Sequence, residues 1–136
     1  MNLDPAFLTV AQVKAVHQRT IAEFGGIPGL RDPGLLESAV LIPAAQYGGK
    51  FLHGDIPTMA AATLFHLCRN HPFMDGNTRT ALASAEIFLL LNDCSLEAND
   101  EELERLTLGV AEGSLSKDEA VLFFRQHAKG LDNSKK

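Results

Sequence analysis

At 136 residues, 46% hydrophobic and 21% charged, the chain suits one compact domain, and a second is not expected. A net charge of −5 with no run of Lys or Arg leaves nucleic-acid binding through the phosphate backbone little electrostatic support, and no apolar stretch is long enough to cross a bilayer. The balance is that of a globular protein, and with no visible signal peptide the expected location is cytoplasmic.

Thr9 and Gln12 form a capping box that opens a first helix, with Val13, Val16, Ile21 and Phe24 near helical spacing and Gly25-Gly26 as its stop. His17 reads as a residue of this helix's surface and His53 as a loop residue, since neither has a second ligand at metal spacing. Asp32 caps a second helix with Pro33 at its first position and Leu35, Leu36, Ala39 and Val40 as its apolar face. Arg31, just before that cap, is a candidate phosphate or partner contact, or else a locally paired charge. Ile42 to Gly54 keeps no period and reads as a long loop or irregular hairpin. Its Tyr47 and Phe51 either dock a partner segment by strand addition or pack on the helices.

Asp55 caps a third helix running to Asn70, with Met59, Ala62, Leu64, Phe65 and Leu67 facing a core and His66 as a core or edge residue. Arg69 in its last turn either places a cation at a site mouth or complements the helix dipole. The run Thr80 to Leu91 is a fourth, strongly apolar helix whose first turn begins at Asn77. Asn92-Asp93 break it. Asn99-Asp100 open a fifth helix that Gly113 closes, and Ser116 with Glu119 opens a sixth. Cys68 and Cys94 lack C-x-x-C spacing and read as buried free thiols. Six helices and no clear strand predict an all-α, single-domain bundle around the fourth helix, with residues 1–130 as the domain and 131–136 as a flexible C-terminal tail.

Between helices three and four lies His71-Pro72-Phe73-Met74-Asp75-Gly76-Asn77-Thr78-Arg79, a nine-residue stretch in which seven positions carry distinctive chemistry. A helix beginning Gly-Asn-Thr-Arg offers unpaired N–H groups and a positive dipole end, a natural anion site. Gly76 permits close backbone approach, Asn77 can donate its amide to phosphate oxygens, and Arg79 can grip them in a fork. Asp75 is a hard oxygen ligand suited to a Mg²⁺ that keeps most of its waters and bridges nucleotide phosphates. An imidazole exchanges protons near neutral pH, which makes His71 the candidate general base, while Phe73 anchors the loop. The competing class is a binding module that uses the same anion site only to hold another protein.

The His-Pro-Phe-x-Asp-Gly-Asn-x-Arg motif resembles the active loop of the Fic/Doc (Fido) family, and the segment Gly29 to Ala39 resembles its death-on-curing branch, toxins of toxin–antitoxin pairs. The resemblance implies an all-α Fic/Doc fold with His71 as base, Asp75 as Mg²⁺ ligand, Asn77 and Arg79 as the phosphate holders, and Ile42 to Gly54 as a flap that positions a target protein; Gly76 and Thr78, beside them in the same turn, complete the set of phosphate-binding candidates. It also implies ATP as substrate, with either AMP or the γ-phosphate moved to a protein hydroxyl. The death-on-curing branch is associated with phosphorylation of elongation factor Tu. Family AMP-transferases carry Gly before the motif's Arg and the death-on-curing toxin carries Lys, whereas here the residue is Thr78. The second Arg of many AMP-transferases is replaced by Leu82, which favours the death-on-curing side. Glu112-Gly113 has Leu108 where a self-inhibitory helix needs a hydroxyl, so restraint is expected from a separate antitoxin, for which Arg31 is a candidate contact.

Overall fold

A computed structural model describes residues 4–131. Helix α1 spans Val10–Phe24, α2 Pro33–Leu41, α3 Ile56–Asn70, α4 Asn77–Leu91, α5 Asp100–Glu112 and α6 Lys117–His127. The capping boxes at Thr9 and Ser116 and the Asp32 and Asp55 carboxylates at α2 and α3 are those the sequence predicts, and the structure adds a third box at Asn99 with Glu102. Each cap satisfies donors that would otherwise face the loops unpaired.

The helices surround a core centred on α3 and α4 together. Helix α3 packs on α2, α4, α5 and α6, and every residue from Met59 to Leu64 is buried. Helix α4 turns Thr80, Ala81, Ser84, Ala85, Phe88 and Leu89 inward while Leu90 and Leu91 remain exposed. Small residues on the facing sides, Ala60 to Ala62 on α3 and Ala81, Ser84 and Ala85 on α4, allow the two backbones to approach closely. Helix α1 lies against α4 and α2.

Two short strand pairs depart from the expected absence of strands. After a 3₁₀ turn at Ile42–Ala44, β1 (Gln46–Tyr47) and β2 (Lys50–Phe51) form a small hairpin over Gly48-Gly49, within the stretch read as a loop or irregular hairpin. Tyr47 at its tip is exposed, and Phe51 packs on Phe7. Strands β3 (Cys94–Leu96) and β4 (Ala128–Gly130) pair antiparallel and tie the exit of α4 to the exit of α6. Three-residue strands are too short to leave a periodic signal in sequence. Leu131, assigned to a tail, donates its N–H to Asp93 O at 2.8 Å; the rest of that expected tail, 132–136, lies outside the described residues.

Two side-chain assignments also change. His17 is buried rather than on the helix surface, because the inner face of α1 is Val13, His17 and Thr20, a partly polar stripe. Cys94 is only half-buried, while Cys68 is fully buried and its thiol is pushed up to about 12 by burial.

Candidate active site

The motif loop starts where α3 ends. His71 closes α3 in the left-handed conformation at φ 48°, unusual for a residue with a side chain. Arg31 holds it there: its Nε donates to His71 O at 2.6 Å and its Nη2 to Asn70 O at 2.9 Å, covering the negative end of α3. The backbone before α2 then zips onto the loop. Arg31 and Asp32 N–H groups donate to Pro72 O, Met74 N–H donates to Gly29 O, and Leu30 bridges Phe73.

Inside the loop, the Asn77 side chain is fully engaged. Its Oδ1 accepts from Phe73 N–H at 3.0 Å, while Nδ2 donates to Phe73 O at 3.0 Å and to His71 Nδ1 at 3.2 Å. The amide that the sequence suggests for phosphate is thus occupied in shaping the loop, and what Asn77 offers to an anion is its backbone N–H. Phe73 is buried against His17, ring on ring at 3.8 Å.

Asp75 is exposed, with its carboxylate braced by two backbone donors: Ile27 N–H to Oδ2 at 3.1 Å and Gly76 N–H to Oδ1 at 2.9 Å. These bonds, that from Ile27 foremost, hold its carboxyl below the usual carboxylate range. Gly26 makes the brace possible. Its φ is +119°, and a Cβ there would sit 2.9 Å from Asp75 Oδ2. Gly76 caps α4 at φ +73° where a Cβ would meet Ile21 Cδ1 at 3.2 Å. Among the described residues no side chain caps α4, so the first-turn N–H groups of Asn77, Thr78 and Arg79 stay open toward the loop.

Arg79 is exposed, its guanidinium carbon 4.0 Å from the centre of the Phe24 ring. Stacking on a ring face leaves the N–H edges free for a fork-like grip on oxygens. The cleft of about 350 Å³ at this end of the molecule is lined by His71, Met74, Asp75, Gly76, Asn77, Thr78 and Arg79, with Thr20 and Gly25 opposite. His71 and the Asp75-to-Arg79 run therefore converge. Arg31 and Arg69 do not line it: Arg31 caps α3, and Arg69 lies over Phe65 at 5.6 Å. A larger groove of about 520 Å³ between α5 and α6 contains Glu102, Arg105, Phe123 and His127 but no motif residue and no open helix N-terminus, so convergent chemistry favours the smaller cleft.

The sequence reading missed α1 and the turn after it as part of the site. His17, Thr20, Ile21, Phe24, Gly26 and Ile27 all touch the loop or line its cleft. The available signal was a His and a Thr at core spacing from Val13 on one helix face.

Among the described residues no three of His, Cys, Asp and Glu cluster as a protein-built metal cage. A cation that keeps its waters and shares phosphate oxygens needs only one carboxylate. Asp75 fits that need, since each of its oxygens accepts one N–H and retains a lone pair, and the residue lines the cleft.

The Fic/DOC family model matches residues 7–89, which includes α1, α2, α3, the whole motif loop and nearly all of α4. The chain is 36% identical over 102 residues to Protein kinase doc of Escherichia phage P1, covering 75% of this chain and 79% of that protein. It is 45% identical over 76 residues to Toxin Doc of Mycolicibacterium smegmatis, covering 56% of this chain and 58% of that toxin. By the family match and by the extent of the first of these similarities, the chain belongs to the Fic/DOC family.

Proposed function

We propose that the protein is a death-on-curing-type toxin that moves the γ-phosphoryl group of ATP onto a hydroxyl of a target protein. The observation that carries the reading is the convergence of His71, the braced Asp75 carboxylate and the open first turn of α4 in one cleft. The relative named as a protein kinase supports phosphoryl over AMP transfer. Elongation factor Tu is the target suggested by the family resemblance, and a separate antitoxin is the proposed restraint. No helix among the described residues is long and apolar enough to cross a membrane.

In this reading the nucleotide phosphates lie on the N–H groups of Asn77, Thr78 and Arg79, with the Arg79 guanidinium at the rim. Asp75 would hold Mg²⁺, which when bound supplies neutralisation of phosphate charge. The acceptor oxygen forms its bond to the γ-phosphorus as the bond from that phosphorus to the bridging oxygen breaks. ADP leaves, and the hydroxyl proton passes to His71. Because Asn77 donates to Nδ1, the lone pair of neutral His71 receives the hydroxyl proton only once that bond opens.

Incubating a target protein with ATP labelled separately at the α- and γ-phosphates tests this. The expected result is γ-label on the target, lost in His71→Ala. Label from the α-phosphate would replace the reading by AMP transfer. No label from either, with growth inhibition surviving His71→Ala in the folded protein, would leave a binding module.

A further inference from the structure

The peptide unit joining Asp75 to Gly76 is held at both ends. Its carbonyl oxygen accepts from His17 Nε2 at 2.8 Å, and its N–H donates to Asp75 Oδ1 at 2.9 Å. A trans peptide points C=O and N–H in opposite directions within one plane, so a donor fixed on the carbonyl side sets the direction of the N–H on the other. His17 has little freedom to be elsewhere. It is 4% exposed, anchored on α1, and its ring lies at 6° to the Phe73 ring with 3.8 Å between centroids. Only an N–H can pair with a carbonyl, so Nε2 carries a proton.

We propose that His17 is a positioning residue for the transfer reaction, gripping the Asp75 carbonyl so that the 75–76 peptide presents its N–H to the Asp75 carboxylate and aims that carboxylate at the cleft. The inference rests on the reading of Asp75 as the carboxylate that serves the nucleotide phosphates. His17 meets no reacting atom; it acts through the peptide plane. The same ring packs the loop by its face and orients it by its edge, and the two contributions separate by substitution. His17→Phe keeps a ring on Phe73 and removes the donor. His17→Gln removes the ring and keeps an N–H donor at comparable reach.

The test reads amide hydrogen exchange in the protein without nucleotide or metal, then transfer kinetics. Gly76 N–H is expected to exchange about fivefold faster in His17→Phe and near the wild-type rate in His17→Gln, with the core amides of Leu64 and Phe88 unchanged in both. In the kinetic arm, KM for ATP with Mg²⁺ is expected to rise about fivefold in His17→Phe with a smaller change in kcat, and to recover in His17→Gln. Wild-type exchange at Gly76 in folded His17→Phe, or a His17→Gln as defective as His17→Phe, would overturn the proposal in favour of packing alone. If Leu64 protection is lost in His17→Phe, His17→Met carries the same comparison without a donor. The exchange arm involves no reaction, so a wild-type protein that transfers no phosphate would sink the transferase reading while leaving the peptide-plane result to stand or fall separately.

Discussion

Asn77 Nδ2 lies 3.2 Å from His71 Nδ1, and because an amide nitrogen donates and cannot accept, neutral His71 accepts at Nδ1 and carries its proton on Nε2. The same Asn77 side chain pairs with both backbone groups of Phe73, which excludes the flipped amide because that would set donor against donor. Nitrogen-15 NMR of the imidazole is expected to show the Nε2–H tautomer in the free protein. Removing three bonds from a buried side chain, Asn77→Ala should cost about 2–3 kcal/mol in urea unfolding and lower transfer by about 100-fold or more. A wild-type spectrum with the proton on Nδ1 would mean that the bond is made differently from the arrangement described.

Gly26→Ala tests the brace on Asp75. A methyl group 2.9 Å from Asp75 Oδ2 at φ +119° cannot be accommodated without moving the linker or the carboxylate. The expected outcome is a loss of about 1–2 kcal/mol in stability, together with an ATP KM raised about tenfold in the presence of Mg²⁺. Unchanged kinetics in a folded variant would show that the carboxylate does not depend on this turn.

Arg31→Met separates helix capping from phosphate binding. With its guanidinium on Asn70 O and His71 O, Arg31 should contribute about 1–2 kcal/mol to stability, and its loss should lower the melting temperature while ATP KM changes little. The reverse pattern, a raised KM at wild-type stability, is what a phosphate contact would give.

The helix caps and the motif were legible in the sequence because each depends on residues within a few positions of one another, as with Thr9 and Gln12 or His71 and Asn77. What was not legible depends on which surfaces meet. The apolar residues of helix one alone leave His17 on its surface; the true inner stripe is chosen by the polar loop it packs against, and Phe24 is 56% exposed because its partner is the Arg79 guanidinium. Asn77 opens α4 as its sequence position predicts, but its side chain turns inward, since a loop that reverses direction between α3 and α4 must pair the Phe73 peptide groups with something. Strands β3 and β4 join segments more than thirty residues apart and have no local signal.

Ser84 tests the α3–α4 interface. Its hydroxyl oxygen is fully buried without a hydrogen-bond partner among the described residues, as is that of Thr80 one turn earlier. An unpartnered buried hydroxyl costs more than the methyl that would replace it. Ser84→Ala is expected to raise stability by about 0.5–1 kcal/mol with transfer activity intact. A loss of stability on that scale would reveal a hydroxyl partner.

Acid stability should be governed in part by His66 and His53, which sit near Lys117 where the hairpin segment, α3 and α6 meet. His53 Nε2 takes the Lys117 ammonium at 2.8 Å, and neither His53 Nδ1 nor His66 Nε2 has a partner among the described residues. Burial, with Lys117 and then His53 adding repulsion, pushes His66 down to about 4, and burial with Lys117 lowers His53 as well. In the unfolded chain both imidazoles regain the ordinary histidine value near 6.5. Between these limits the unfolded state binds the extra protons, so stability is highest above about pH 6.5 and falls as the pH drops toward about 4. After discounting for partial exposure, the His66 share is about 1–2 kcal/mol across that window. Urea unfolding at pH 7 and pH 4.5 should show the loss, and His66→Phe should flatten it; an equal slope in the variant would assign the acid sensitivity to other groups.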